Sequence, residues 1–159
     1  MIKVIFMKRR DFIILSASLF SFSKSVFASA PTLTVYKSPT CSCCDDWIGH
    51  LKQAGFFVTA ENVSDQNLSD LKLRSGISPN LRSCHTGFIN NYFIEGHVPA
   101  DDIKLLLLKK PVGLGLAVPG MPAGSPGMEM GNRRDPYDTL FVRGDGSTIV
   151  FRSHRYIKV

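Results

Sequence analysis

Cys41, Cys43 and Cys44 place three of the chain's four cysteines within four residues. Cys41 and Cys44 form a C-x-x-C pair of the kind used for dithiol exchange, while Cys43 turns the segment into a C-x-C-C cluster of soft ligands. Asp45 and Asp46 follow at once, and negative charge within a turn of a thiol raises its pKa. That disfavours a strong thiol oxidant and favours a cation site. A third adjacent thiol also invites disulfide scrambling. Neighbours such as Cys43 and Cys44 do not aim both sulfurs at one ion, so the turn suits a thiolate cluster bridging several ions, above all Cu(I). Zinc usually takes four tetrahedral ligands from two cysteine knuckles, and only one is present. An iron–sulfur cluster on Cys41, Cys43, Cys44 and Cys84 would match neither common ferredoxin spacing.

Outside that segment the readings stay open. Cys84 is a ligand or a disulfide partner of one of the first three cysteines, and His85 is a ligand or a polar neighbour. His97 reads as a local hydrogen-bonding residue, His50 and His154 as solvated surface groups, and Trp47 as core. Met121, Met128 and Met130 lie in a Gly/Pro-rich stretch with little core to fill, so at least one of them is expected to contact metal.

The elements that must hold these residues can be traced along the chain. Thr32 to Lys37 alternates as a strand with Leu33 and Val35 on one face. Trp47, Ile48, Leu51 and Ala54 recur at helical spacing from Asp45 to a stop at Gly55. Phe56 to Val63 predicts a second strand, and Asn67 to Arg74 a second helix with Leu68 and Leu71 on one side. Residues 85–90 and 92–95 predict two strands joined by a tight turn at Asn90-Asn91. Pro99 to Lys110 predicts a third helix ended by Pro111. Residues 111–136 show no periodicity, and so long a loop in a domain is either functional or a wrong assignment. Beyond it, residues 139–143 and 147–152 flank Gly144-Asp145-Gly146, a hairpin that extends the sheet and pins the loop. The order β-α-β-α-β-β-α is that of a thioredoxin-like α/β domain, which would set Cys84-His85 opposite the first three cysteines.

The first residues have another purpose. Lys8-Arg9-Arg10, the apolar run from Phe12 to Phe20 and Val26-Phe27-Ala28 compose a bacterial export signal, residues 1–28, cleaved after Ala28. Arg9-Arg10-Asp11-Phe12-Ile13 resembles a twin-arginine signal, with an ordinary Sec signal as the alternative. The apolar run is shorter than the ~20 residues of a membrane span, so no stable anchor is expected after cleavage. Residues 29–159 form one domain in the periplasm, where the simplest fate of four cysteines is two disulfides. Lys3, Lys8, Arg9, Arg10 and Lys24 carry most of the formal charge of +6 and leave with the signal, so a nucleic-acid partner is not expected.

Four blocks, Tyr36-Lys-Ser-Pro-Thr-Cys-Ser-Cys-Cys44, Ser83-Cys-His-Thr86, Ile94-Glu-Gly-His-Val-Pro99 and the stretch from Gly115 to Met130, resemble the CopG-like family, a domain family of unknown function. The resemblance spans nearly the whole mature chain, with the blocks in order. It implies a periplasmic thioredoxin-like protein of copper resistance that holds a multinuclear Cu(I) thiolate cluster, with interconversion of Cu(I) and Cu(II) as a further role. Cys41, Cys43, Cys44 and Cys84 fall on the family's cysteines, and Met121, Met128 and Met130 on its Met-containing loop. Ser42 stands where the family usually has glycine. Copper ions and other periplasmic copper-handling proteins are the implied partners, and oligomeric state is left open. The rival from the residues themselves is a thiol-disulfide oxidoreductase using Cys41 and Cys44.

Overall fold

A computed structural model describes residues 32–155, so the export signal expected over residues 1–28 lies outside the described part. Among the described residues, three α-helices accompany one mixed sheet of seven strands in a single α/β domain. The strands are β1 (Thr32–Lys37), β2 (Phe57–Asn62), β3 (His85–Ile89), β4 (Tyr92–Glu95), β5 (Gly115–Ala117), β6 (Tyr137–Val142) and β7 (Thr148–His154). The helices are α1 (Ser42–Gln53), α2 (Asp65–Arg74) and α3 (Ala100–Lys109). Strand order is β2-β1-β3-β4-β5-β6-β7. β1 runs parallel to β2 and antiparallel to β3, and β5 runs parallel to β4. No described helix is long and apolar enough to cross a membrane.

Alternation along the strands splits the apolar residues between two faces. Leu33, Val35, Ile94, Leu116 and Phe141 pack with Trp47, Ile48 and Leu51 of α1 and Ile103 and Leu106 of α3. Phe93, Ala117 and Val142, one residue out of step, face the other way onto Ile77 and Leu81. α2 contributes Leu68 to the buried set, but its other buried side chain is Lys72, a charge within what the spacing marked as an apolar face.

Several boundaries move. α1 begins at Ser42 rather than Asp45, with Cys41 as its N-cap, so Cys43 and Cys44 belong to its first turn. α2 begins at Asp65 because the Ser64 side chain accepts a hydrogen bond from the Asn67 amide at 3.2 Å, an N-cap that helical spacing alone did not reveal. The stretch from 111 to 136 is not without structure throughout. β5 lies inside it and joins the β4 edge to the C-terminal hairpin.

Two histidines expected at the solvated surface are engaged. His154 Nε2 lies 2.9 Å from Oδ2 of the buried Asp102, and its ring stacks on Tyr137 at 4.5 Å. Thr139 donates to the same carboxylate oxygen at 2.6 Å, while Arg152 Nε approaches Oδ1 at 3.0 Å as an ion pair without hydrogen-bond geometry. His50 Nε2 accepts the Ala100 amide proton at 3.1 Å, capping the start of α3. Burial holds the His50 imidazole below its ordinary 6.5, with Lys104 adding to the fall and Glu129 and Asp101 opposing it. A lowered folded value means the unfolded chain binds the proton more readily, so this stability is present above pH 6.5 and lost as pH falls. Urea titrations should therefore show about 1 kcal/mol less stability on acidification, the scale of one hydrogen bond. A His50→Gln variant should show a flatter profile, and an equal loss in the variant would refute this role.

Candidate metal centre

The C-terminal end of β1 delivers the chain to a short turn that caps α1, and the thiols gather there. Cys43 Sγ lies 3.5 Å from Cys41 Sγ and 4.0 Å from Cys84 Sγ. Cys44, fully buried, directs its sulfur toward the Cys84 carbonyl at 4.0 Å. Sulfurs of all four cysteines fall within 4.8 Å of one another. Cys41 and Cys44 are joined as a disulfide, whereas Cys43 and Cys84 are free thiols. The pattern is thus not two disulfides, and a four-thiolate site needs this one bond reduced.

Cys84 enters from the opposite side, immediately before β3. Its sulfur lies 3.2 Å from His85 Nδ1 and 3.1 Å from His97 Nε2, and these three donors form a second close group. His97 was not expected here. The tight turn at Asn90-Asn91 sets Ile89 opposite Tyr92 and Thr86 opposite Glu95. Continuing that register by two residues brings Cys84 opposite His97, and the Gly96 amide donating to the His85 carbonyl at 3.1 Å shows the ladder persisting past Glu95. The signal lay in the hairpin turn rather than in the spacing around His97.

The imidazoles have the state that ligation requires. His97 Nδ1 lies 2.8 Å from the Pro126 carbonyl, which can only accept, so the proton sits on Nδ1 and Nε2 offers its lone pair to Cys84. Metal-bound histidines commonly donate their second nitrogen in this way. His85 is fully buried, and its Nε2 makes no hydrogen bond. Burial first, then His97, Lys72 and Lys37, hold its pKa well below 6.5, with the Gly96 backbone opposing weakly. Burial also lowers His97, so both rings are neutral near pH 7. Burial, seconded by the Cys43 thiol, pushes the Cys84 thiol up to about 12, so it carries its proton until a cation displaces it. A thiol flanked by two uncharged imidazoles is a poor nucleophile and a suitable soft-metal seat.

Trp47 fixes the gap between the two sides. Its indole donates to the Val98 carbonyl at 2.8 Å, and its ring packs against His85 at 4.2 Å, tilted by 35°. The charges behave more modestly than their position suggests. Asp45 pairs with Lys37 at 3.1 Å, which neutralises part of the acidity beside the thiols.

Backbone groups hold the Gly/Pro/Met loop over the site. Pro126 meets His97, Ser83 Oγ donates to the Gly120 carbonyl, and Gly127 lies against the first turn of α1. A Cβ on Gly127 would come within 2.6 Å of the Trp47 nitrogen and 2.8 Å of the Cys43 carbonyl, at a φ of +81°. Gly127→Ala should therefore cost about 1–3 kcal/mol and speed alkylation of Cys43. Unchanged urea unfolding and alkylation would show that the loop does not rest there. Of the loop methionines, Met128 is half-buried, whereas Met121 and Met130 are 53% and 64% exposed.

Residues 81–128 match a family described as "Protein of unknown function, DUF411". The solved structure named "Copper resistance protein copG- Form 2" is 43% identical, with a TM-score of 0.74 over 79% of this chain and 99% of that one. "Copper resistance protein copG- Form 1" is 45% identical, with a TM-score of 0.72 over 77% and 96%. No curated protein matches the chain. Sheet and sulfurs together define an α/β protein with a cysteine-rich site suited to a soft metal. The chain belongs to the CopG-like family, and its four clustered cysteines fit copper binding.

Proposed function

We infer that this is an exported, periplasmic copper-binding protein of copper resistance, built on a thioredoxin-like frame. The order β2-β1-β3-β4, with α1 leaving the end of β1 at the thiols, supports that frame. In the reduced state Cys41, Cys43, Cys44 and Cys84 hold several Cu(I) ions as a thiolate cluster, and His85 and His97 flank the Cys84 end. The loop carrying Met121, Met128 and Met130 is the lid. Convergence of four sulfurs and two imidazoles is the observation that carries this reading. Copper is cargo here, and cycling between Cu(I) and Cu(II) is a secondary role. Residues 1–28 supply export, and other copper-handling proteins of the periplasm are the expected exchange partners.

Anaerobic Cu(I) titration of fully reduced protein is expected to load several equivalents with thiolate-to-copper absorption. Binding of one equivalent or fewer, unaffected by Cys43→Ser, would overturn the cluster. The Cys41–Cys44 disulfide favours a second reading, thiol-disulfide exchange on other proteins, since Cys41 is partly exposed and Cys44 buried. It predicts insulin reduction that survives loss of Cys43 and Cys84, and inactivity in that assay would exclude it.

A further inference from the structure

A cavity of about 350 Å³ opens beside the thiols, between the turn entering α1, the first part of α2 and the segment before β3. It is of small-molecule size, at the lower end of a range of roughly 300–1,000 Å³. Cys41 and Cys84 form one part of its wall, Leu68 and Ser69 another, and Lys72 and Arg82 bring positive charge. Lys72 is already paired with Glu95. Arg82 is different: its two hydrogen bonds, to the Ile77 carbonyl and Ser69 Oγ, are both 3.4 Å long. No carboxylate among the described residues lies within ion-pair distance of Arg82. Asp65 is the one acid on the wall, so the cationic character is concentrated at Arg82.

The two sulfurs of the disulfide differ in their access to this space. Cys41 lines the cavity, whereas Cys44 is fully buried and does not. A thiolate entering the cleft therefore reaches Cys41. The sulfur it would expel, Cys44, sits in the first turn of α1, where the helix dipole favours negative charge.

We propose that this cleft binds a small thiol carrying a carboxylate, with the carboxylate on Arg82 and the sulfur at Cys41, and that this thiol reduces the Cys41–Cys44 disulfide to open the metal site. The incoming thiolate bonds to Cys41 Sγ while the Cys41–Cys44 bond breaks and its electron pair leaves on Cys44 Sγ. A second thiolate then attacks the small-molecule sulfur of the mixed disulfide and releases Cys41 as thiolate. Two small thiols are oxidised to one disulfide, the protein disulfide gains two electrons, and the two thiol protons pass through solvent to Cys41 and Cys44. The proposal rests on the copper reading for its purpose, since it supplies two of the four sulfurs.

The test uses the mature chain in its oxidised, metal-free form, with glutathione as the carboxylate thiol and 2-mercaptoethanol as an uncharged thiol without one. Rates of disulfide opening, compared per thiolate and followed by mass after alkylation, should favour glutathione at least tenfold. Arg82→Gln should remove most of that preference while leaving the 2-mercaptoethanol rate unchanged, and Arg82→Lys should restore part of it. In Cys44→Ser protein, glutathione disulfide should label Cys41. Equal rates for the two thiols, an equal loss for both in Arg82→Gln, or labelling confined to Cys43 or Cys84 would overturn the cleft. Copper loading of phosphine-reduced Arg82→Gln protein gives a separate readout. It should match wild type, and failure of reduced wild-type protein to load would sink the copper reading without touching the thiol preference.

Discussion

Cys84→Ser is expected to reduce copper loading of the reduced protein from several equivalents to one or none while the domain stays folded. Cys84 is the single cysteine sulfur supplied from outside the start of α1, and it alone touches both Cys43 and the imidazoles of His85 and His97. Serine preserves the shape but offers a hard oxygen that is not ionised near neutral pH, a poor ligand for Cu(I). With Cys84 removed, the three sulfurs of the α1 turn have no counterpart across the gap. Copper counted per chain after gel filtration reads the effect, and unchanged thermal unfolding shows that the fold survives. Loading equal to wild type would mean that the copper does not span the two sides.

The largest loss of stability is expected from Glu95→Ala. Glu95 is fully buried and Lys72 nearly so, and they pair at 2.5 Å. Thr86 donates to Glu95 Oε2 at 2.7 Å, and the Ser83 amide donates to Oε1 at 2.6 Å. Burial raises the Glu95 pKa and lowers that of Lys72, so each charge is tolerated mainly because of the other. Removing the carboxylate strands a buried ammonium, a change that costs about 3–5 kcal/mol. That is a large part of the roughly 5–15 kcal/mol stabilising a typical domain. The double change Lys72→Met, Glu95→Gln should lie much closer to wild type in urea unfolding, because no unpaired charge remains. If the double variant were as unstable as the single one, the cost would come from packing rather than from stranded charge. The Ser83 contact adds a second effect: Glu95→Ala should also weaken copper loading by loosening the residue next to Cys84.

The frame was legible where periodicity is strong. Leu33 and Val35 identified β1, the Trp47, Ile48 and Leu51 spacing identified α1, and Asn90-Asn91 located the β3–β4 hairpin. β5 was hidden because Gly115-Leu116-Ala117 is too short to alternate. It exists because the β4 and β6 edges offer partners on both sides. The burial of Lys72 was not legible because its acidic partner Glu95 is 23 positions away in sequence. The clustering of the four cysteines was legible from the expected fold and the family resemblance, whereas residue type alone left Cys84 and His85 open. His97 was not legible, although the hairpin register already placed it across from Cys84. The pairing of the disulfide was open as well, since sequence spacing permits several pairings, and the structure joins Cys41 to Cys44 while leaving Cys43 and Cys84 free.

The indole of Trp47 is tied to the chain just beyond His97 and rests on His85, while its own helix carries Cys43 and Cys44. Both jaws of the sulfur site are thus bolted to one flat, incompressible spacer, and the opening between them is gauged by carbon packing before any ion arrives. An ion must accept that opening or push against the hydrophobic core, so the core itself takes part in choosing what fits.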